Sequence, residues 1–256
     1  MGSSRWGRPV SRLWCALAAL GLLLVTAACA GGDSHTAGTT NPPASSIPPS
    51  TTVAPSLADR LVGVGSAEQV LAVLADGYGK TTATFTAYER AGGSWKQVFG
   101  PWDARVGVNG FAPLGAKREG DGRTPSGAYG FDFFFGVDPD PGVHFVYRLV
   151  RSTTIVWDDD PASPLYNQWV DTTTQNPGVR PEPMYNLPAY TYGAVIAYNA
   201  ARTPGLGSAI FLHVSTGRPT AGCVALPASE LIAVLRWLDP SRAPRIVMGT
   251  TADVTS

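Results

Sequence analysis

The 256-residue chain carries 19 Lys and Arg against 19 Asp and Glu, is 44% hydrophobic and holds three cysteines. Three of its arginines, Arg5, Arg8 and Arg12, precede Cys29, so the chain beyond Cys29 has 16 basic against 19 acidic side chains, a net of −3. A mildly acidic chain has no electrostatic footprint for nucleic acid, and that class of partner is excluded.

The first predicted element is a secretory signal. Arg5, Arg8 and Arg12 lead into an apolar run from Leu13 to Val25 and then the small residues "TAACAGG", the order of charge, apolar core and cleavage site. A spanning helix needs about 20 apolar residues, and this core is shorter. The small residues before Cys29 match a lipoprotein cleavage site, in which Cys29 is lipidated and becomes the new N-terminus; Thr26 departs from the usual aliphatic residue there. Ordinary cleavage near Ala28 or Ala30 is the alternative. Residues 1–29 are therefore read as a lipoprotein-type signal, which places the protein outside the cytoplasm. It is either lipid-anchored to the outer face of the cytoplasmic membrane or secreted into the cell wall, and its only membrane contact is through the lipid.

Residues 30–56, "AGGDSHTAGTTNPPASSIPPSTTVAPS" with Leu57 following, are rich in Ser, Thr, Pro and Gly. They offer too little apolar surface to offset the entropy of ordering and read as a flexible tether. Residues 57–250 are long enough for one substantial core. Within them "SAEQVLAVLAD", Ser66 to Asp76, predicts a short helix, with Ser66 as N-cap, Gln69 three residues on, and Ala67, Val70, Leu71 and Leu74 on one face. "TATFTAYER" and "SWKQVFG" flank Ala91, Gly92 and Gly93 and predict a hairpin. The runs "FDFFFGV", "FVYRLV", "TTIVWDD", "GAVIAYN", "AIFLHV" and "RIVMG" predict strands, and "PASELIAVLRWLD" behind Pro227 predicts a helix. The fold class expected is mainly β with a few short helices.

No metal-ligand spacing is present, and "GDGRTPSG" lacks both the spacing and the lysine of a phosphate loop. His35 falls in the tether, which leaves His144 and His213; His144, between Val143 and Phe145, reads as a satisfied strand histidine. Once Cys15 and Cys29 are assigned to the signal, Cys223 is the one thiol of the domain. An unpaired thiol in an exported protein is either buried and inert or kept for its reactivity. Its setting favours reactivity. Gly222 precedes it, permitting close backbone approach and free N–H groups beside the nucleophile. His213 ends the strand-like "AIFLH", and the nine-residue loop from Val214 to Gly222 can fold back to bring imidazole and thiol together. A neighbouring imidazole is expected to depress the thiol pKa and to supply a proton to a leaving group.

The stretch "FLHVSTGRPTAGCVALP" resembles the active-site signature of the L,D-transpeptidase catalytic domain family: a histidine, a loop, then Ser or Thr, any residue, Gly and the nucleophilic Cys. "KREGDGRTPSGAYGF", Lys117 to Phe131, is similar to a second family segment, and "WDDDPASPLYNQWV" and "YNLPAYTYGAVIAYN" resemble a subgroup. The resemblance runs from about Tyr88 to Met248. The chain departs from many members at Ala221, where they carry His, and at Ala225, where they carry Arg, which bears on donor and acceptor specificity rather than on the thiol chemistry.

The resemblance implies a single L,D-transpeptidase-like β-sandwich catalytic domain that needs no metal or organic cofactor. Cys223 would attack the carbonyl of a peptidoglycan stem tetrapeptide and pass the acyl group to an amine acceptor, with His213 as general base. The N–H groups of Cys223 and of Gly222 or Ala221 would hold the oxyanion, and the carbonyl of Val214 or Ser215 would orient His213. Covalent inhibition by carbapenem-type β-lactams is also implied. Thr220 either bonds into the dyad or forms the turn before Gly222. Arg123 either binds a substrate carboxylate or pairs with Asp121 or Glu119. Tyr198 and Asn199 either line the cleft or belong to the core, and Ser215 is a further candidate substrate contact. A secreted cysteine hydrolase of cell-wall peptides and a non-catalytic cell-wall-binding lipoprotein stand as alternatives.

Overall fold

The computed structural model describes residues 55–256; the expectations for the signal, Cys29 and nearly all of the tether lie outside the described residues. The short helix α1 (Leu57–Arg60) opens the described chain and is followed by β1 (Gln69–Ala75), β2 (Thr82–Ala91), β3 (Ser94–Arg105), β4 (Phe111–Ala112), β5 (Thr124–Pro125), β6 (Gly127–Tyr129), β7 (Phe131–Gly136) and β8 (Tyr147–Leu149). Then come β9 (Ile155–Asp158), β10 (Gln168–Asp171), β11 (Glu182–Pro183), β12 (Gly193–Ile196), β13 (Phe211–Val214), β14 (Val224–Leu226), α2 (Ala228–Trp237), β15 (Arg245–Thr250) and α3 (Thr251–Val254). The protein is mainly β with a few short helices, as its β-branched and aromatic runs require. Packed structure continues past residue 250: the Ser256 N–H donates to Arg60 O at 2.8 Å. Among the described residues no helix is long and apolar enough to cross a membrane.

The predicted helix at Ser66 to Asp76 does not form; β1 occupies it. All seven residues of β1 are buried. Leu71, Val73 and Ala75 enter the central core, whereas Val70, Ala72 and Leu74 enter a second core with Tyr88, Trp95 and α3. That alternation has a period of two, and a strand with both faces covered reads as a continuous apolar run, which helical spacing also fits. Pairing on both sides, antiparallel to β2 and parallel to β15, overrides the helix propensity of its Ala, Leu and Gln residues. The hairpin forms where predicted: β2 and β3 pair antiparallel, and the turn places Gly92 and Gly93 at φ 58° and 84°, a region open to glycine. The helix behind Pro227 also forms, burying Leu231, Val234 and Leu235. His144 is not a strand residue; it is exposed in the bend between β7 and β8.

Ten strands form one sheet in the order β6-β15-β1-β2-β3-β14-β13-β12-β7-β8. Only Gly130 separates β6, at one edge, from β7, next to the other edge, so the sheet has to roll until its two ends approach. The Ala197 N–H donates to Gly130 O at 3.0 Å and so ties this one-residue link to the end of β12. Inward side chains from both halves share one core with α2, including Phe85, Phe134, Leu212, Val224 and Leu235. The outer face of β7, β12 and β13 builds a separate aromatic cluster from Phe133, Phe135, Trp157, Tyr190 and Phe211, against which the small sheet β10-β9-β11 packs. Cys223 belongs to this outer cluster.

Candidate active site

Strands β13 and β14 are parallel neighbours, with Leu212 opposite Val224 and His213 opposite Ala225. A parallel return obliges the connecting loop to run back along the strand, so Cys223, just before β14, comes beside the start of β13. Alternation does the rest: Leu212, Val214, Val224 and Leu226 point into the central core, leaving Phe211, His213, Cys223 and Ala225 on the outer face. Thiol and imidazole therefore share one face, and both line one cavity of about 310 Å³. Each residue is only 7% exposed.

His213 Nδ1 lies 2.9 Å from Val214 O. A carbonyl can only accept, so Nδ1 carries the proton and Nε2 is the basic nitrogen. Burial lowers the imidazole pKa below its ordinary value, against the opposing pull of the Val214 bond, and favours the neutral ring. The Tyr190 ring stands edge-on to the His213 ring with centroids 5.4 Å apart. Cys223 Sγ donates to Ala209 O at 3.3 Å and accepts from the Phe211 N–H at 3.3 Å. The expected depression of the thiol pKa is not what the site shows. Burial pushes Cys223 up to about 12, and the Phe211 N–H offsets this only in part. Desolvation of a thiolate outweighs a neutral imidazole, which has no charge with which to oppose it. Burial thus favours the neutral form of both groups.

The loop before Cys223 is stitched down by its backbone. The Thr220 N–H donates to Val106 O at 2.9 Å, and the Val108 N–H donates to Thr220 O at 2.8 Å. Thr220 Oγ1 accepts from the Gly222 N–H at 3.1 Å and donates to Cys223 O at 2.7 Å, so this hydroxyl both forms the turn and fixes the peptide of the cysteine. Thr124, from the "GDGRTPSG" segment, reaches the same carbonyl at 3.1 Å while accepting from the Gly107 N–H at 2.9 Å. Because the Gly222 N–H is committed to Thr220, the candidate oxyanion donors narrow to the N–H groups of Cys223 and Ala221. Gly222 has φ 153°, and a Cβ there would lie 3.0 Å from Arg123 O and 3.4 Å from Ile210 Cδ1. Gly222→Ala is expected to cost about 1–3 kcal/mol of stability and to slow acylation of Cys223 about tenfold, read from the thermal midpoint and the rate of adduct formation.

The other nominated residues are placed elsewhere. Ser215 is outside the cavity lining, its hydroxyl accepting from the Gly217 N–H at 3.1 Å within the loop. Arg123 is also outside the lining, and its N–H caps Asp121 at 2.9 Å. Lys117 takes the ion pair considered for Arg123, at 2.6 Å from Asp121. Burial alone would raise the Asp121 pKa, but the Lys117 ammonium and the N–H groups of Arg118 and Arg123 outweigh it and hold it low. Tyr198 lines a different cleft and donates to Leu206 O at 2.6 Å. Asn199 ties its own loop through Thr203 O at 3.0 Å and Gly207 O at 2.9 Å.

Three carboxylates that sequence reasoning did not nominate share the cavity with Cys223: Glu119, Asp159 and Glu182. Tyr166 and Ser208 hydroxyls donate to Glu119, and the Tyr190 hydroxyl donates to Glu182 at 2.9 Å. Burial pushes Asp159 up to about 6, with Glu119 and Glu182 adding repulsion. Burial likewise raises Glu182, against its Tyr190 bond. Among the described residues no group of His, Cys, Asp and Glu converges as a metal site. Glu119 and Asp159 lie in the motifs "KREGDG" and "WDDDP", whereas Glu182 precedes "YNLPAY" and belongs to none; which side chains turn into one cavity depends on strands far apart in sequence.

No protein-family model matches the chain, and no curated protein matches it. Among solved structures, the helical cell shape determining protein Pgp2 from Campylobacter jejuni is similar at 15% sequence identity and a TM-score of 0.37, over 74% of this chain and 50% of that one. The chain thus spans about half the length of that protein, and a likeness of this degree carries nothing to the site.

Proposed function

We propose that the protein is a cell-wall acyltransferase of the L,D-transpeptidase type, with Cys223 as nucleophile and His213 as its base. The observation that carries this reading is the placement, on the walls of one cavity, of a buried thiol and a histidine whose Nδ1 is tied to Val214 O and whose Nε2 is thereby the basic nitrogen. As Sγ attacks the substrate carbonyl, Nε2 takes the thiol proton. Since the resting thiol is uncharged, this transfer accompanies attack rather than preceding it. The C–N bond of the tetrahedral intermediate then breaks, the imidazolium gives its proton to the leaving amine, and a thioester remains. The acceptor ammonium gives one proton to a cavity carboxylate and attacks the thioester as the free amine; His213 takes the second proton as the C–N bond forms and passes it to the sulfur as the C–S bond breaks, which restores the thiol.

The acidic wall supports an amine acceptor over water. Glu119, Asp159 and Glu182 attract an incoming ammonium group, and water has no use for such a field. Intact-mass measurement after incubation with a stem tetrapeptide or a carbapenem is expected to find one adduct, on Cys223; absence of any adduct on folded protein would sink the reading. With tetrapeptide and an amine acceptor, wild type is expected to give cross-linked dimer over hydrolysed tripeptide. Asp159→Asn is expected to lower that ratio about tenfold, and an unchanged ratio would favour the hydrolase.

The extracytoplasmic placement belongs to the same proposal. Wild type is expected in the membrane fraction with Cys29 as its modified N-terminus, and Cys29→Ala is expected to block processing or release the protein. Fully soluble wild type that begins at another residue would refute the anchor.

A further inference from the structure

A second cleft, of about 480 Å³, lies on the outer face of β7 and β12 and is larger than the cavity of Cys223. Its wall is aromatic, from Phe133, Trp157 and Trp169, and its rim carries Arg148, Arg202 and Asp132. Ile210 lines both cavities, so the two are neighbours. The Arg148 guanidinium lies 3.6 Å over the Phe133 ring and 5.8 Å from that of Trp169. Stacking holds the guanidinium plane while leaving its in-plane N–H fork available. Neither Arg148 nor Arg202 makes an ion pair among the described residues, where the ion pairs are Lys117 with Asp121 and Arg242 with Glu68 and Glu89. Two uncommitted guanidinium groups against the single carboxylate of Asp132 make this a cationic cleft on a chain whose net charge beyond Cys29 is negative.

We infer that this cleft is a binding site for a pyranose that carries a free carboxylate. The pyranose presents an apolar C–H face to the aromatic wall and hydroxyls to the polar rim. Its carboxylate meets the Arg148 fork in the two-point geometry that a planar guanidinium favours. The volume falls in the range of small-ligand sites, about 300–1,000 Å³. A purely apolar ligand would strand the arginines, and a bare anion would leave the aromatic wall unused. The site goes beyond the proposed acyl transfer, because a sugar that bears a stem peptide has spent its carboxylate in an amide, and its occupancy does not depend on Cys223 chemistry.

The test is titration of isotope-labelled protein in the Cys223→Ala background, following the indole N–H resonance of Trp169, assigned by Trp169→Phe. The probes are N-acetylmuramic acid, N-acetylglucosamine as the sugar without a carboxylate, and acetyl-D-alanyl-D-alanine as the carboxylate without a sugar ring. N-acetylmuramic acid is expected to shift the Trp169 resonance saturably, at least about tenfold more tightly than either control, and more weakly as salt is added. Arg148→Gln is expected to lose about tenfold in affinity, and Arg202→Gln, at an exposed position, gives a second variant that leaves the Phe133 contact intact. Equal affinity for the two sugars, tighter binding of the peptide, no saturable shift, or full affinity in the Arg148→Gln, Arg202→Gln double variant would each overturn the inference. Because no turnover is read, a failed transpeptidase assay leaves this result unaffected.

Discussion

Cys223→Ser is expected to reduce turnover of a stem tetrapeptide by about three orders of magnitude or more while the protein stays folded. The two hydrogen bonds at Sγ, from the Phe211 N–H and to Ala209 O, are ones a hydroxyl can also make, and the swap breaks no disulfide. What changes is the nucleophile. His213 has a backbone carbonyl as its partner rather than a carboxylate, which fixes its tautomer but stabilises an imidazolium less. Such a base serves a thiol and activates a serine hydroxyl poorly. Folding is checked by near-UV circular dichroism and activity by product analysis. A folded mutant that retains most of its activity would remove Cys223 as nucleophile and with it the transpeptidase reading.

The second large effect concerns His213 and pH. With a neutral dyad, kcat/KM is expected to stay flat on lowering the pH through 6.5, the ordinary histidine value, and to fall only below it, where the burial-lowered imidazole takes a proton. Alkylation of Cys223 without substrate is expected to be slow at neutral pH and to rise toward a midpoint near 12. His213→Gln is expected to lose about 100-fold or more in rate and to abolish the acid limb, with little change in the alkylation midpoint. Fast alkylation at pH 6 together with an alkaline limb in kcat/KM, from loss of the imidazolium proton, would instead establish a thiolate–imidazolium pair.

Stability also responds to these two groups. The folded thiol pKa is raised above its unfolded value near 9, so its contribution is complete below pH 9 and is lost as pH climbs toward 12, by up to about 1.4 kcal/mol per pH unit. The folded imidazole pKa is lowered, so its contribution is complete above 6.5 and is lost as pH falls below that. Unfolding measured in denaturant across this range is expected to show a plateau between the two limits. Cys223→Ala should remove the loss that sets in between pH 9 and 10, before the tyrosines whose pKa values burial raises above 10 add theirs, and an unchanged slope in that interval would contradict the burial of the thiol.

Sequence alone determined the elements whose cause is local. Gly92 and Gly93 had to be a turn because of the backbone angles they permit, Pro227 had to start a helix whose apolar residues recur at helical spacing, and the β-branched and aromatic runs had to be strands. It also isolated Cys223, Gly222 and His213, because a lone exported thiol, a glycine before it and a strand histidine are properties of short segments. What required the tertiary structure is whatever distant strands settle between them. β1 reads equally as helix or doubly buried strand until β2 and β15 flank it. The use of Thr124 as well as Thr220 to hold the Cys223 carbonyl and the wall of Glu119, Asp159 and Glu182 join segments up to 99 residues apart. The charge state of the dyad belongs with these. Spacing says that an imidazole and a thiol can meet, but whether the thiol ionises depends on how completely the outer cluster strips it of water, and desolvation is a property of the packed fold rather than of any segment.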